Sequence, residues 1–214
     1  MLRNRQRDLL EEFRTRGILR RSEETGECYL LNNGNHAGEF FDFSVGFVDA
    51  DFRRDLGIEL MEEFGALKLD HDIDVIITPA MGGMLLAGTM QHLFYERKPL
   101  LFYTEKVDGV SLLRRFKLND QQRVLLLDDV YNSGKNMKEM KVICDAADAC
   151  VVGVAAIMNR NSQGRPMPQE TITIPHIFLV TYPIVEVRPK ECPRCLSGMP
   201  LEKDGIRVDY RELL

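Results

Sequence analysis

Two adjacent acids close one of the most apolar runs of the chain, Val124-Leu-Leu-Leu-Asp128-Asp129, and Val130-Tyr131-Asn132-Ser133-Gly134-Lys135-Asn136 follow. A short, wholly apolar run reads as a strand buried on both faces, and ligands of open parallel sheets bind beyond the carboxyl ends of such strands. The segment Asn132, Ser133, Gly134, Lys135 and Asn136 is a small polar loop ahead of a helix. Its main-chain N–H groups and the helix N-terminus favour a phosphate. Asp128 and Asp129 can accept hydrogen bonds from sugar hydroxyls, or hold Mg²⁺ mainly through its water. The combined chemistry is that of a sugar-phosphate cradle. It is not a mononucleotide P-loop, because Asp129 stands where that motif has its first glycine. The plainer alternative is an acid pair that only caps the helix, with Gly134 relieving a turn. The sheet-end context favours the cradle.

The elements that must position this loop follow from periodicity. Arg3 to Arg16 has Leu9, Leu10 and Phe13 on one helical side, with Gly17 as a stop. Cys28 to Leu31 reads as a strand ending in the turn-rich Asn32 to His36, and Phe40 to Val48 as a strand kinked at Gly46. Asp51 is expected to cap a helix over Phe52 to Phe64. Strands and helices then alternate. Asp74–Thr78 is a strand, Leu85–Tyr95 a helix, Leu100–Thr104 and Val124–Asp128 strands, Met137–Cys150 a helix and Val151–Met158 a strand. Ile172–Val187 supplies two extended runs split by Pro175 and Pro183. Nearly all-apolar strands alternating with helices predict an α/β fold, with a parallel sheet covered on both faces.

Composition agrees with a globular chain. The 214 residues are 44% apolar and 29% charged, which is too hydrophobic for disorder and ample for a core. The formal net charge of −5 argues against nucleic acid as a partner. No apolar stretch follows the charged start MLRNRQRDLLEEF, so no secretory signal is expected. The uncharged stretch Val75 to Tyr95 could span a bilayer by length, but Pro79, Gly82, Gly83, Gln91 and His92 fit a strand, a turn and a buried helix better. Five cysteines without a signal point to reduced thiols and a cytoplasmic protein. Cys192-x-x-Cys195 is half of a zinc site with no second pair at finger spacing. His176 could join it, but a structural turn with two free thiols is the expectation.

Several of these segments together resemble type I phosphoribosyltransferases, and their combination resembles the orotate branch. The segment ending in Asp128-Asp129 and running through Ser133 and Gly134 is similar to that family's signature for phosphoribosyl pyrophosphate (PRPP). Gly34-Asn-His-Ala-Gly-Glu-Phe-Phe-Asp42 resembles its base-side segment, and Thr78-Pro-Ala-Met-Gly-Gly-Met-Leu-Leu-Ala87 its pyrophosphate-side loop. Ile157-Met-Asn-Arg-Asn161 resembles a short strand-end motif, and Glu191-Cys-Pro-Arg-Cys-Leu-Ser-Gly-Met-Pro-Leu201 a tail found in many members.

The resemblance implies a single phosphoribosyltransferase-like domain over 1–214, with a core of about 50–170 and a small hood from about 1–49 and 171–214. It implies transfer of ribose 5-phosphate from PRPP to orotate in pyrimidine nucleotide biosynthesis, with Mg²⁺ and loss of pyrophosphate. Ala80, Met81, Gly82, Gly83, Asp128, Asp129, Asn132, Ser133, Gly134, Lys135 and Asn136 would hold PRPP. Phe40, Phe41 and Arg160 would meet the base, and Lys106 would be the catalytic cation beside Asp128 and Asp129. A homodimer is implied, since the family's mobile loop reaches the neighbouring subunit's site; neither a membrane nor nucleic acid is. The chain departs from the family at that loop. Tyr103, Thr104 and Asp108 replace an Arg, a Lys and a His, and Asn32 replaces a further Lys. Arg114, Arg115 and Lys117 either substitute for them or form a solvated face. Transfer to another acceptor, and PRPP or nucleotide binding without turnover, therefore stay open beside the orotate reading.

Overall fold

The apolar runs from Val75 to Thr181 become strands of one sheet in the computed structural model, which describes residues 2–68, 73–95, 98–161, 174–203 and 205–208. The chain divides into two units, Met1–Gly46 with Pro183–Leu214, and Phe47–Tyr182. The first begins with helix α1 (Leu2–Thr15), strand β1 (Leu19–Arg21) and helix α2 (Ser22–Thr25). Strands β2 (Cys28–Leu30), β3 (His36–Ala37) and β4 (Glu39–Phe41) follow. The long strand expected over Phe40 to Val48 stops at Phe41. Asp42 Oδ1 accepts from Ser44 N at 3.1 Å, and the chain turns into helix α3 (Phe43–Phe47). This local side-chain turn overrides the aromatic, β-branched composition.

The second unit starts on helix α4 (Ala50–Ala66). Its cap is Asp49, not Asp51: Asp49 accepts from Asp51 N and Phe52 N. Strand β5 (Val75–Pro79), helix α5 (Met84–Leu93), strand β6 (Leu100–Val107) and strand β7 (Val110–Leu112) come next. Strand β8 (Arg123–Tyr131), helix α6 (Lys135–Asp145), strand β9 (Cys150–Asn159) and strand β10 (His176–Thr181) complete the unit. The run expected from Ile172 begins outside the described residues. Six strands form one sheet in the order β10-β9-β8-β5-β6-β7, parallel throughout except that β7 runs antiparallel to β6.

Alternate residues point to opposite sheet faces. Val75, Ile77, Val124 and Leu126 join Met137, Met140 and Cys144 of α6 in one cluster. Ile76, Leu125 and Leu127, also buried, face the other way, where α5 packs on β5, β6 and β8. The all-apolar strands thus have the physical reason expected of them: both faces are covered.

The chain then returns to the first unit through strand β11 (Glu186–Val187), helix α7 (Pro193–Leu196) and strands β12 (Leu201–Lys203) and β13 (Ile206–Val208). That unit carries a five-stranded sheet in the order β11-β3-β2-β12-β13 and a β1–β4 pair. Among the described residues no helix is long and apolar enough to cross a membrane.

Candidate active site

Strand order locates the crevice. From β5 the chain crosses to β6 on one side, while β8 leads to β9 and β10 on the other. The connection direction reverses between β5 and β8, and such switch points are where open α/β sheets bind ligands. The pairing shows the opening. β5 and β8 stay in register from Val75↔Val124 to Ile77↔Leu126, whereas beyond that point β8 pairs only with β9 as far as Tyr131↔Asn159. The segments leaving β5 and β8 at this point are the glycine loop and the acid-pair loop.

Asp128 is 4% exposed, and Asp129 is half-buried. Asp128 Oδ1 accepts from Asp129 N at 3.0 Å, and its Oδ2 accepts from Asn136 Nδ2 at 3.0 Å. Burial pushes the Asp128 carboxyl well above the usual carboxylate range, and the neighbouring Asp129 charge adds to this. Gly134 sits in the left-handed region (φ 72°) at the start of α6. That conformation turns the chain from the strand end into the helix and suits glycine. The N-terminus of α6 thereby opens on the acid-pair loop, with Asn132 and Lys135 on either side of Ser133 and Gly134.

The loop after β5 packs against this strand end. A Cβ on Gly82 would lie 3.0 Å from Asp129 Oδ1 and 3.5 Å from Asp128 Oδ1. One on Gly83 would collide with Thr78 Oγ1 and lie 3.2 Å from Asp128 Cα. Ala80 N donates to Thr104 O at 2.9 Å. Met81, 84% exposed, holds φ 78°, a strained backbone for a side-chain-bearing residue. Strain of this kind costs of order 1–3 kcal/mol and concentrates at ligand-binding loops.

Lys106 does not lie on an open loop. β6 continues past Thr104 to Val107 and returns as β7, pairing Lys106 with Ser111. Asp108 (φ 50°) and Gly109 (φ 81°) are both left-handed, the pattern of a tight two-residue hairpin turn. Glu139 of α6 gathers this hairpin. It accepts a short hydrogen bond from Ser111 Oγ and lies 3.9 Å from both Lys106 Nζ and Lys135 Nζ. Arg114 pairs with Glu105 at 3.1 Å. Thr104 is buried in the sheet, and Tyr103 packs edge-on to Phe116 at 5.2 Å.

Sequence reasoning did not single out Glu139, whose signal was its i,i+4 spacing from Lys135. It also passed over Asn161 as a working residue. Asn161 Nδ2 donates to Asn132 O at 2.8 Å and so ties the end of β9 to the acid-pair loop. Arg160, next to it, anchors its main chain by donating to Tyr131 O at 2.8 Å.

Phe40 and Phe41 belong to the other unit. Phe41, expected beside a base, is 7% exposed and packs on Phe13 and Phe43. It is a core residue of its unit. Phe40 is half-buried, stacked on Tyr29 at 5.8 Å with the Arg20 guanidinium 5.1 Å from its ring centre.

No protein-family model matches the chain. An orotate phosphoribosyltransferase of a Thermoanaerobacter species is 28% identical over 201 residues, covering 94% of this chain and 97% of that protein. The orotate phosphoribosyltransferase of Caldanaerobacter subterraneus is 31% identical over 180 residues, covering 84% and 88%. Among solved structures, the orotate phosphoribosyltransferase of Aeropyrum pernix shares the fold, with TM-score 0.60 at 18% identity over 81% of this chain and 93% of that one. The switch-point crevice, the acid pair at its edge and this likeness over most of the sequence agree: the chain belongs to the orotate phosphoribosyltransferase family.

Proposed function

We propose that the chain transfers ribose 5-phosphate from PRPP to orotate with release of pyrophosphate. The observation that carries the reading is the acid pair at the sheet's switch point, closed in by the bare backbone of Gly82 and Gly83. Asp128 and Asp129 would accept the ribose hydroxyls. Main-chain N–H groups from Asn132 to Asn136 would bind the 5-phosphate at the start of α6, with Ser133 as a hydroxyl donor. The segment Ala80 to Gly83 would present its backbone to the pyrophosphate. Lys106 would meet the negative charge that develops as pyrophosphate departs, and Arg160 would face the anionic edge of the base. By the same resemblance Phe40 and Phe41 would serve the base side of the reaction.

The acid pair also fits a divalent cation. Asp128 and Asp129 are hard oxygen donors, and neither is ion-paired to Lys or Arg among the described residues. Mg²⁺ held there through water would neutralise phosphate charge on PRPP. The chain's own contribution would be positional: carboxylates fix the sugar and amides fix the phosphate. A dimer and a cytoplasmic setting belong to the same proposal.

A second reading, PRPP binding without turnover, rests on Tyr103 and Thr104. Both are packed into the sheet's surroundings, so neither brings a cation toward the leaving group. Pyrophosphate release with Mg²⁺, PRPP and orotate decides between them. Release with orotate supports the first reading, and release only with another base overturns its acceptor. Tight PRPP binding with silence across a panel of bases supports the second.

A further inference from the structure

The Cys-x-x-Cys pair is not a bare turn. Cys28, His36, Cys192 and Cys195 converge so that their ligand atoms all lie within 4.8 Å of one another. Cys28 Sγ and Cys192 Sγ are 3.6 Å apart, and Cys195 Sγ is 3.2 Å from His36 Nδ1. Four donors around one ion at bond lengths of about 2.0–2.3 Å stand roughly 3.3–3.8 Å from each other. The cysteines are free thiols, and Cys28, His36 and Cys192 are at most 1% exposed.

We propose that Cys28, His36, Cys192 and Cys195 bind one zinc ion as a closed structural site.

The fold assembles the donors from three segments. β2 starts at Cys28 and β3 at His36, and the two strands pair antiparallel through Leu30↔His36. Gly34 (φ 83°) makes the turn between them. The other two ligands come from the C-terminal segment. A 3-10 turn over Pro189–Glu191 delivers Cys192, and Pro193 opens α7, which carries Cys195. The Leu196 N–H donates to Cys192 O at 3.0 Å and closes the turn between the two cysteines. β12 fixes this arrangement by pairing with β2 at Leu201↔Cys28.

Zinc fits better than the alternatives. Three sulfurs and an imidazole are a soft set that rejects Mg²⁺ and Ca²⁺ and matches structural zinc. Four protein ligands leave no open position, so the site does no hydrolysis. Its place in the fold gives it work of another kind. Among the described residues, the apolar cluster around it consists of Cys28, Cys192 and Leu201, with Leu30, Cys195 and Met199 partly buried. Small cores of this kind depend on cross-links, and an ion here would tie β2 and β3 to a segment more than 150 residues later in the chain.

The test uses the untagged full-length chain, purified without chelators under reducing conditions. Elemental analysis should find one zinc per chain. Cys195→Ser and His36→Ala should lose it, whereas Cys150→Ser, at an exposed cysteine outside the cluster, should keep it. Apo-chain titrated with Co²⁺ should develop thiolate-to-metal charge transfer and the intense visible bands of tetrahedral cobalt, saturating at one equivalent. The cobalt spectrum needs no variant, so it decides the matter even where a substitution prevents folding. Less than stoichiometric metal together with no thiolate–cobalt band would overturn the proposal. So would a Cys28–Cys192 disulfide in the freshly isolated protein, or full zinc retention in Cys195→Ser. None of these readouts involves orotate or PRPP, so failure here leaves the proposed reaction untouched.

Discussion

Replacing Gly83 by alanine probes the close approach on which the crevice depends. Gly83 has φ −82° and ψ −8°, a conformation open to any residue, so the effect of a methyl is steric and not conformational. The new Cβ would strike Thr78 Oγ1 and lie 3.2 Å from Asp128 Cα and 3.3 Å from Leu127 O. Thr78 is fully buried, and the other two atoms are main chain of β8, so the neighbours have little room to yield. Overpacking of this kind costs about 1–3 kcal/mol. For a chain of this size that lowers Tm by roughly 2–12 °C. A displaced loop would also misplace the backbone facing the pyrophosphate, and an error of about 1 Å costs up to about 10²-fold in kcat/KM.

Gly88→Ala is the control: nothing lies within 4 Å of its added Cβ, and it sits inside α5. It should stabilise the chain by about 0.5–1 kcal/mol through helix propensity. In a Thr78→Ala background the penalty of Gly83→Ala should shrink, since one of its collisions is gone. Urea unfolding and pyrophosphate release at varied PRPP read both effects. If Gly83→Ala matches the parent in Tm and in KM for PRPP while Gly88→Ala behaves as stated, the packed crevice is wrong.

Three further substitutions test the site. Asp128 has a folded pKa raised above its unfolded value, so its stabilising contribution is complete below the unfolded pKa and is lost as pH rises through the folded one. Asp128→Asn should therefore raise the Tm of the ligand-free chain at neutral pH, with the gap closing as pH falls, and cut turnover by about 10²–10³-fold; Tm measured against pH for both chains shows it. Lys106→Ala should lower kcat by about 10²–10³-fold with KM for PRPP changed only a few-fold, and equal turnover removes Lys106 from the reaction. Asn161→Ala deletes the hydrogen bond to Asn132 O, worth about 0.5–1.5 kcal/mol, and should raise KM for PRPP by about 2–13-fold; calorimetric titration of PRPP checks whether binding weakens by that amount.

Local pattern carried the central half of the molecule. Apolar runs such as Val124 to Leu127 specify buried parallel strands wherever they fall, because no other placement covers both faces. The acid pair and the glycines were legible for the same reason: a strand end, a left-handed turn and a helix start are short-range events. Where a short-range signal was overlooked, the reading failed. Asp42 starts a helix where aromatic composition predicts a strand, and Asp49 caps the helix that Asp51 was expected to cap. The turn at Asp108-Gly109 makes a hairpin of what resembled an open loop.

Other features have no local trace at all. Glu139 joins the β6–β7 hairpin to α6, and Asn161 reaches the acid-pair loop, only because the sheet brings separate segments side by side. The cysteine pair at Cys192 and Cys195 looked like half of a site in the linear chain. Its partners Cys28 and His36 are near the other end of the sequence, and strand pairing between β2, β3 and β12 is what unites them. Residue type and spacing determine the chemistry a segment can offer; which segments share one set of ligands is decided by contacts between strands remote in sequence, and these leave no period to read.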